Sequence, residues 1–160
     1  MDMARIGIAG LGRMGAALAA RLLETGNQVT VWNRSAEKCA PLVAAGASLA
    51  ASPAALAGAV EAVVTILTDA AAIEAVYGGE HGILAADLAG RLVIEMSTVR
   101  PETPVALAPR IEARGGTFVE CPVGGTTAPA RQGRLLGLAA GSAEAVARAR
   151  PAARPSSLPC

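Results

Sequence analysis

The residues whose spacing carries the most chemistry are three glycines near the start of the chain, Gly10, Gly12 and Gly15, in the stretch IAGLGRMG. With Leu11, Arg13 and Met14 between them they make G-x-G-x-x-G, which cradles a pyrophosphate when it follows a strand and opens a helix. Gly10 permits the tight turn, Gly12 lets backbone N–H groups approach phosphate, and Gly15 lets the helix lie close to the strand. The helix start adds unpaired donors and a partial positive charge. With 18 glycines in 160 residues, composition alone can also produce such a turn, so its setting has to decide.

About 20 residues further on, NAD-specific sites carry an Asp or Glu that bonds the ribose 2′-hydroxyl. Here that place holds Asn33, followed by Arg34 and Ser35. A carboxylate repels a 2′-phosphate, whereas a guanidinium grips one through two hydrogen bonds and stacks on adenine. NADP is therefore favoured as cofactor, with NAD as the alternative. The plainer readings are that Arg34 is a solvated loop residue and that Ser35 only caps a helix.

The elements that must position these groups alternate along the chain. ARIGIAG reads as a strand, followed by a helix over about 14–25 that Gly26-Asn27 closes. QVTVWN is a second strand, and Ser35 is placed to cap the helix of AEKCAPLVAAG. A weak strand over 47–50 precedes a helix opened by Ser52-Pro53. EAVVTIL and RLVIEMS are strands, with helices over about 69–76 and 101–113 after them. GTFVECP and RLLGLAAG read as two more strands. Strands alternating with helices predict a Rossmann-type, doubly wound α/β fold with a mostly parallel sheet and helices on both faces. The near-continuous apolar strands agree with burial on both sides. One dinucleotide-binding domain over 1–149 is expected. Pro151, Pro155 and Pro159 predict an irregular, disordered tail over 150–160.

Composition narrows the function further. The chain is 52% hydrophobic, 17% charged and 2% aromatic, with formal net charge +1. That balance gives no electrostatic footprint for nucleic acid or an anionic membrane. No apolar run reaches the roughly 18 residues a membrane helix needs. Cys39, Cys121 and Cys160 are scattered, suggest neither a metal site nor a disulfide framework, and fit a reducing cytoplasm. Cys121 reads as a small apolar filler, and the lone His81, among glycines, as a solvated loop residue.

Four stretches together resemble the β-hydroxyacid dehydrogenases, the family of 3-hydroxyisobutyrate dehydrogenase and tartronate semialdehyde reductase. They are GIAGLGRMGAALAARLLETGNQVTVWNRS, VVTILTD, VIEMSTVRPET and FVECPVGGTTAPARQGRL, in the family's order and spacing. The 6-phosphogluconate dehydrogenases and imine reductases share the same cofactor domain. The resemblance implies that Leu67 and Thr68 lie against the adenosine ribose and pyrophosphate, and Ser97 and Thr98 near the nicotinamide, with Ser97 also meeting substrate. The plainer reading makes Ser97 and Thr98 caps of the helix at Pro101. In the family's substrate loop a serine and two glycines receive the substrate carboxylate. Gly124, Gly125 and Thr126 stand there in this chain, so backbone donors remain while one hydroxyl contact is lost. The plainer reading is an ordinary strand connection. The implied substrate is a small β-hydroxyacid or its semialdehyde.

The resemblance also implies a catalytic lysine on a long helix after the cofactor domain, which moves the proton as hydride moves. The single lysine here is Lys38, in the second βα unit. The sequence is therefore expected to be a truncated form, as a frameshift would produce, without the family's helical second domain or catalytic residues. It is expected to bind NADP without turnover, and to self-associate through apolar surface that the second domain would cover. A non-catalytic NADP-binding module is the alternative function; a purely structural protein has no feature in its favour.

Overall fold

The computed structural model describes residues 4–152. Six strands form one all-parallel sheet: β1 (Arg5–Ala9), β2 (Gln28–Trp32), β3 (Ser48–Leu49), β4 (Ala62–Thr65), β5 (Leu92–Glu95) and β6 (Thr117–Glu120), in the order β3-β2-β1-β4-β5-β6. The doubly wound architecture expected from the sequence is thus present. The order reverses between β1 and β4, where such sheets open a ligand crevice at their carboxyl ends.

The helices are α1 (Arg13–Glu24), α2 (Ala40–Ala44), α3 (Pro53–Ala59), α4 (Ala70–Gly78), α5 (Glu102–Glu112), α6 (Thr127–Arg131) and α7 (Ala143–Ala152). The two-residue alternation of the strands divides the core between two faces. Ile6, Ile8, Val64 and Ile94 pack with Leu18 and Leu22 of α1 and Leu42 of α2. Val63 and Val93 face the other way, against Leu56 of α3, Tyr77 of α4 and Leu107 of α5.

Local signals account for most boundaries. Gly26, at φ +86, ends α1 in a left-handed turn, with Gly26 N donating to Leu23 O and Asn27 N to Leu22 O. Ser52 Oγ accepts from Ala55 N at the start of α3, with Pro53 in the first turn. Ser35 does not cap in the same way. Its side chain accepts no helix N–H, and residues 36–39 form a tight 3-10 turn before the short α2, where Pro41 has no N–H to give.

Two further expectations are corrected. RLLGLAAG does not add a parallel strand: β8 (Leu136–Gly137) pairs antiparallel with β7 (Val123–Gly124) in a separate ribbon, and only Ala140 forms an antiparallel bridge to Glu120 at the end of β6. Pro122 lacks the N–H to continue β6, and the left-handed backbones of Gly125 and Gly133 reverse the chain around α6. Helix α7 runs through Pro151 to Ala152, past the point where the tail was expected to begin. The rest of that expected tail lies outside the described residues.

Gly7 shows how closely the layers approach. A Cβ there would stand 2.9 Å from Leu56 Cγ, so the absent side chain lets α3 seat Leu56 directly on β1. Leu56 is fully buried. Leu56→Ala is expected to lower the unfolding free energy by about 2–5 kcal/mol, measured by urea denaturation; a loss below about 0.5 kcal/mol would contradict this packing.

Candidate functional site

Parallel strands put the ends of β1, β2, β4 and β5 at one edge, and the residues singled out by the sequence follow those ends. Gly10 closes β1 with φ +98, a backbone that L side chains rarely adopt, and a Cβ there would run into Ile66 O. Gly15 stands over the Gly10 carbonyl, so a Cβ would collide with it. Both glycines are therefore demanded by the fold itself.

Gly12 differs. Its backbone is ordinary, with φ −65, and a Cβ would meet nothing within 4 Å. Gly12 is also the N-cap of α1, where no side chain caps the helix and no acidic residue sits in the first turn. The first intrahelical bond is Ala16 N to Gly12 O, so the N–H groups of residues 13–15 have no partner within the helix and stand at its positive end.

The structure ties several of the expected residues together. Leu11 N donates to Asn33 Oδ1 at 2.8 Å, while Asn33 Nδ2 donates to Ser35 O at 3.0 Å. Asn33 thus joins the glycine turn to the loop after β2 and consumes one backbone donor of the turn. Leu67 lies under Gly10, with its Cδ2 2.9 Å from where a Cβ would be. Leu67 N in turn donates to Ser97 Oγ at 2.7 Å. Ser97 is buried, and its hydroxyl braces the loop after β4 instead of capping α5.

Arg13, Arg34, Thr68 and Thr98 are exposed, and Met14 is half-buried. Gly124, Gly125 and Thr126 are exposed beyond β6. Their approach is fixed by Cys121 N, which donates to Glu95 O at 2.8 Å. His81 is exposed in the turn after α4, as expected, and Cys121 is buried. Among the described residues no His, Cys, Asp and Glu group could hold a metal ion, and no helix is long and apolar enough to cross a membrane. Two cavities, of about 250 and 580 Å³, lie away from the glycine turn: one between α5, β6 and α7, the other beside the amino ends of β1 and β2.

One buried polar cluster was not anticipated. Glu95 is 1% exposed at the end of β5, level with Thr65 of β4. Thr65 Oγ1 donates to Glu95 Oε2 at 2.5 Å and lies 2.6 Å from Tyr77 Oη. Ser97 N donates to Glu95 Oε1 at 2.8 Å. Burial pushes the Glu95 carboxyl above its ordinary range, against hydrogen bonds from Ser97 and Thr65 that pull it down. Burial, helped by the neighbouring Glu95, likewise pushes the Tyr77 phenol well up. A charge in the apolar run RLVIEMS was the available signal, because a buried carboxyl must be hydrogen-bonded.

This arrangement has matches among known proteins. Residues 5–156 match the family model described as the NAD binding domain of 6-phosphogluconate dehydrogenase. The chain belongs to the β-hydroxyacid dehydrogenase family, as its N-terminal dinucleotide-binding domain. It is 42% identical over 136 residues to glyoxylate/succinic semialdehyde reductase 1 of Arabidopsis thaliana, covering 85% of this chain and 47% of the relative. It is 40% identical over 149 residues to 3-sulfolactaldehyde reductase of Escherichia coli K12, covering 93% and 50%. The human cytokine-like nuclear factor N-PAC is 39% identical over 137 residues, 86% of this chain and 25% of that protein. The chain therefore spans about half the length of the two reductases, and less of N-PAC. Among solved structures, Psf3 in complex with NADP+ and 2-OPP superposes with TM-score 0.89 at 33% identity, over 95% of this chain and 54% of that one. Mycobacterium tuberculosis 3-hydroxyisobutyrate dehydrogenase with L-serine gives TM-score 0.88 at 25% identity, over 98% and 53%.

The raised Glu95 pKa has a signed consequence for stability in this family member. A carboxyl that is harder to ionise when folded favours folding while protonated. That contribution is complete below the unfolded carboxyl range and is lost as pH rises through the folded pKa. The unfolding free energy of the wild type minus that of Glu95→Gln is expected to fall as pH rises from about 4, measured by urea denaturation at a series of pH values. A rising difference would mean that the hydrogen bonds outweigh the burial.

Proposed function

We propose that this domain binds NADP(H) at the carboxyl edge of its sheet, as the cofactor half of an oxidoreductase for a small β-hydroxyacid or semialdehyde. The observation that carries this reading is Gly12: the fold leaves its side-chain space empty beside an uncapped helix start, although nothing in the fold forbids a larger residue. The donors of α1 would receive the pyrophosphate. Arg34, exposed just after β2, would receive the 2′-phosphate, with Asn33 and Ser35 shaping its loop. Leu67 and Thr68 would line the middle of the dinucleotide, and Ser97 and Thr98 the nicotinamide end. The relative known from a complex with NADP+ supports this cofactor; NAD remains the weaker alternative.

When bound, the nicotinamide supplies the hydride acceptor or donor. Among the described residues, Ser97 and Thr98 would hold that end in place, and no lysine stands beside it. Lys38, the single lysine, follows β2, three strands from the end of β5, or roughly 14 Å at ordinary strand spacing. We infer that the proton donor comes from outside these 160 residues, and that the residues by themselves bind cofactor without turnover. Gly124, Gly125 and Thr126 would offer backbone donors to a substrate carboxylate. Both reductase relatives are named for aldehydes that carry an anionic group, which fits that loop. The family likeness to a protein named as a nuclear factor favours a second reading, a cofactor-binding module without catalysis. The scattered Cys39, Cys121 and Cys160 fit a cytoplasmic setting. Leu136 and Leu138, exposed on and beside the β7–β8 ribbon, would serve self-association.

Calorimetric titration tests the reading. Arg34→Ala is expected to weaken NADP+ by about 10-fold or more and NAD+ by less than about twofold; equal losses would remove Arg34 from the 2′-phosphate. Gly12→Ala is expected to leave the unfolding free energy within about 1 kcal/mol of wild type, because its backbone suits alanine. The same variant is expected to weaken both dinucleotides, whereas Gly10→Ala is expected to lose stability outright. Gly12→Ala with undiminished binding would count against the cradle.

A further inference from the structure

The buried acid at the end of β5 has no part in the binding groups named above, yet it touches the frame that holds them. Thr65 and Glu95 occupy the last shared rung of β4 and β5. Alternation turns both toward the face covered by α4, where Tyr77 is fully buried. The hydrogen bonds run in one direction. Thr65 Oγ1 gives its proton to Glu95 Oε2, so in the 2.6 Å contact with Tyr77 the phenol is the donor. The second carboxyl oxygen accepts from Ser97 N. Ser97 then uses its hydroxyl oxygen to hold Leu67 N, and Leu67 lies against Gly10 of the glycine turn.

We propose that Glu95 is a positioning residue for the dinucleotide: by fixing the Ser97 turn it holds the Leu67 loop under the glycine cradle, and so sets the pyrophosphate and nicotinamide half of the site. The inference rests on the NADP reading above. It assigns a division of labour along the ligand. The 2′-phosphate end is governed from the end of β2, by Arg34 and the Asn33 brace. The other half is governed from the end of β5, by a carboxyl that never meets the cofactor. Both carboxyl oxygens are engaged, each accepting a hydrogen bond. A carboxamide of the same shape can keep both contacts, its oxygen accepting from Ser97 N and its nitrogen donating to a reoriented Thr65 hydroxyl. An alanine can keep neither.

The test compares NADP+ with adenosine 2′-monophosphate, which carries the 2′-phosphate but neither the pyrophosphate nor the nicotinamide. Wild type, Glu95→Ala, Glu95→Gln and Ser97→Ala are titrated with both by calorimetry, after circular dichroism and thermal melting establish which variants fold. Glu95→Ala is expected to weaken NADP+ by about 10-fold or more and the monophosphate by less than about threefold, and Glu95→Gln to recover NADP+ to within about threefold of wild type. Ser97→Ala, which removes the acceptor for Leu67 N together with the hydroxyl's own bond to Glu95, is expected to show the same split, and it carries the test if Glu95→Ala does not fold. Equal weakening of both ligands would mark a merely structural acid and overturn the proposal. So would unchanged NADP+ binding in Ser97→Ala, or a Glu95→Gln variant no better than Glu95→Ala. A wild-type domain that binds neither ligand would instead overturn the NADP reading, before any variant is compared.

Discussion

Gly15 of α1 rests on the carbonyl of Gly10, at a separation that leaves no room for a Cβ on Gly15. This contact sets how near the helix start comes to the end of β1, and the rest of the carboxyl edge is arranged around it. With α1 drawn in, Ile66 and Leu67 can close under the turn. Asn33 can reach across from β2 to Leu11 N. The donors of the first helical turn then face outward without a side-chain cap. A larger residue at 15 would lift α1 off the strand and separate all of these at once.

The edge is held from beneath by a polar device that a purely apolar sheet would lack. Burying a carboxyl in a packed face is unfavourable unless its oxygens are hydrogen-bonded, and burial does hold the Glu95 proton more tightly than usual. Hydrogen bonds from Thr65 and Ser97 offset that penalty. The arrangement exchanges some stability for a fixed geometry between two loops that no regular hydrogen-bond ladder joins. Such networks matter most when every member is satisfied. Here Glu95 accepts at both oxygens, Thr65 both donates and accepts, and Tyr77 donates.

The sequence made the fold legible because its signals were redundant. Apolar runs of strand length alternated with alanine-rich helical stretches, and Gly26-Asn27 and Ser52-Pro53 marked boundaries that the structure keeps. The glycine turn was legible too, since its residue types follow from close approaches that any such fold requires. The failures have a common cause. RLLGLAAG has strand character, but its partner is the short β7 and not a parallel neighbour, because pairing is a tertiary choice. Ser35 has the right type for a cap, yet its loop bends through a 3-10 turn instead.

By itself, then, the sequence determined the α/β order, the glycine cradle at the end of β1 and the residue types that favour a 2′-phosphate. Those are local or periodic properties, carried by backbone conformation, side-chain volume and charge at fixed spacing. Tertiary structure decided which of the candidates act on one another. It turned Asn33 and Ser97 from isolated polar residues into braces, and it brought Thr65, Tyr77 and the Glu95–Ser97 stretch to one point from three places in the chain. Such contacts depend on strand register and helix approach, which are fixed only when both faces of the sheet are packed. That is why a glutamate in an apolar run could be seen in the sequence while its partners could not.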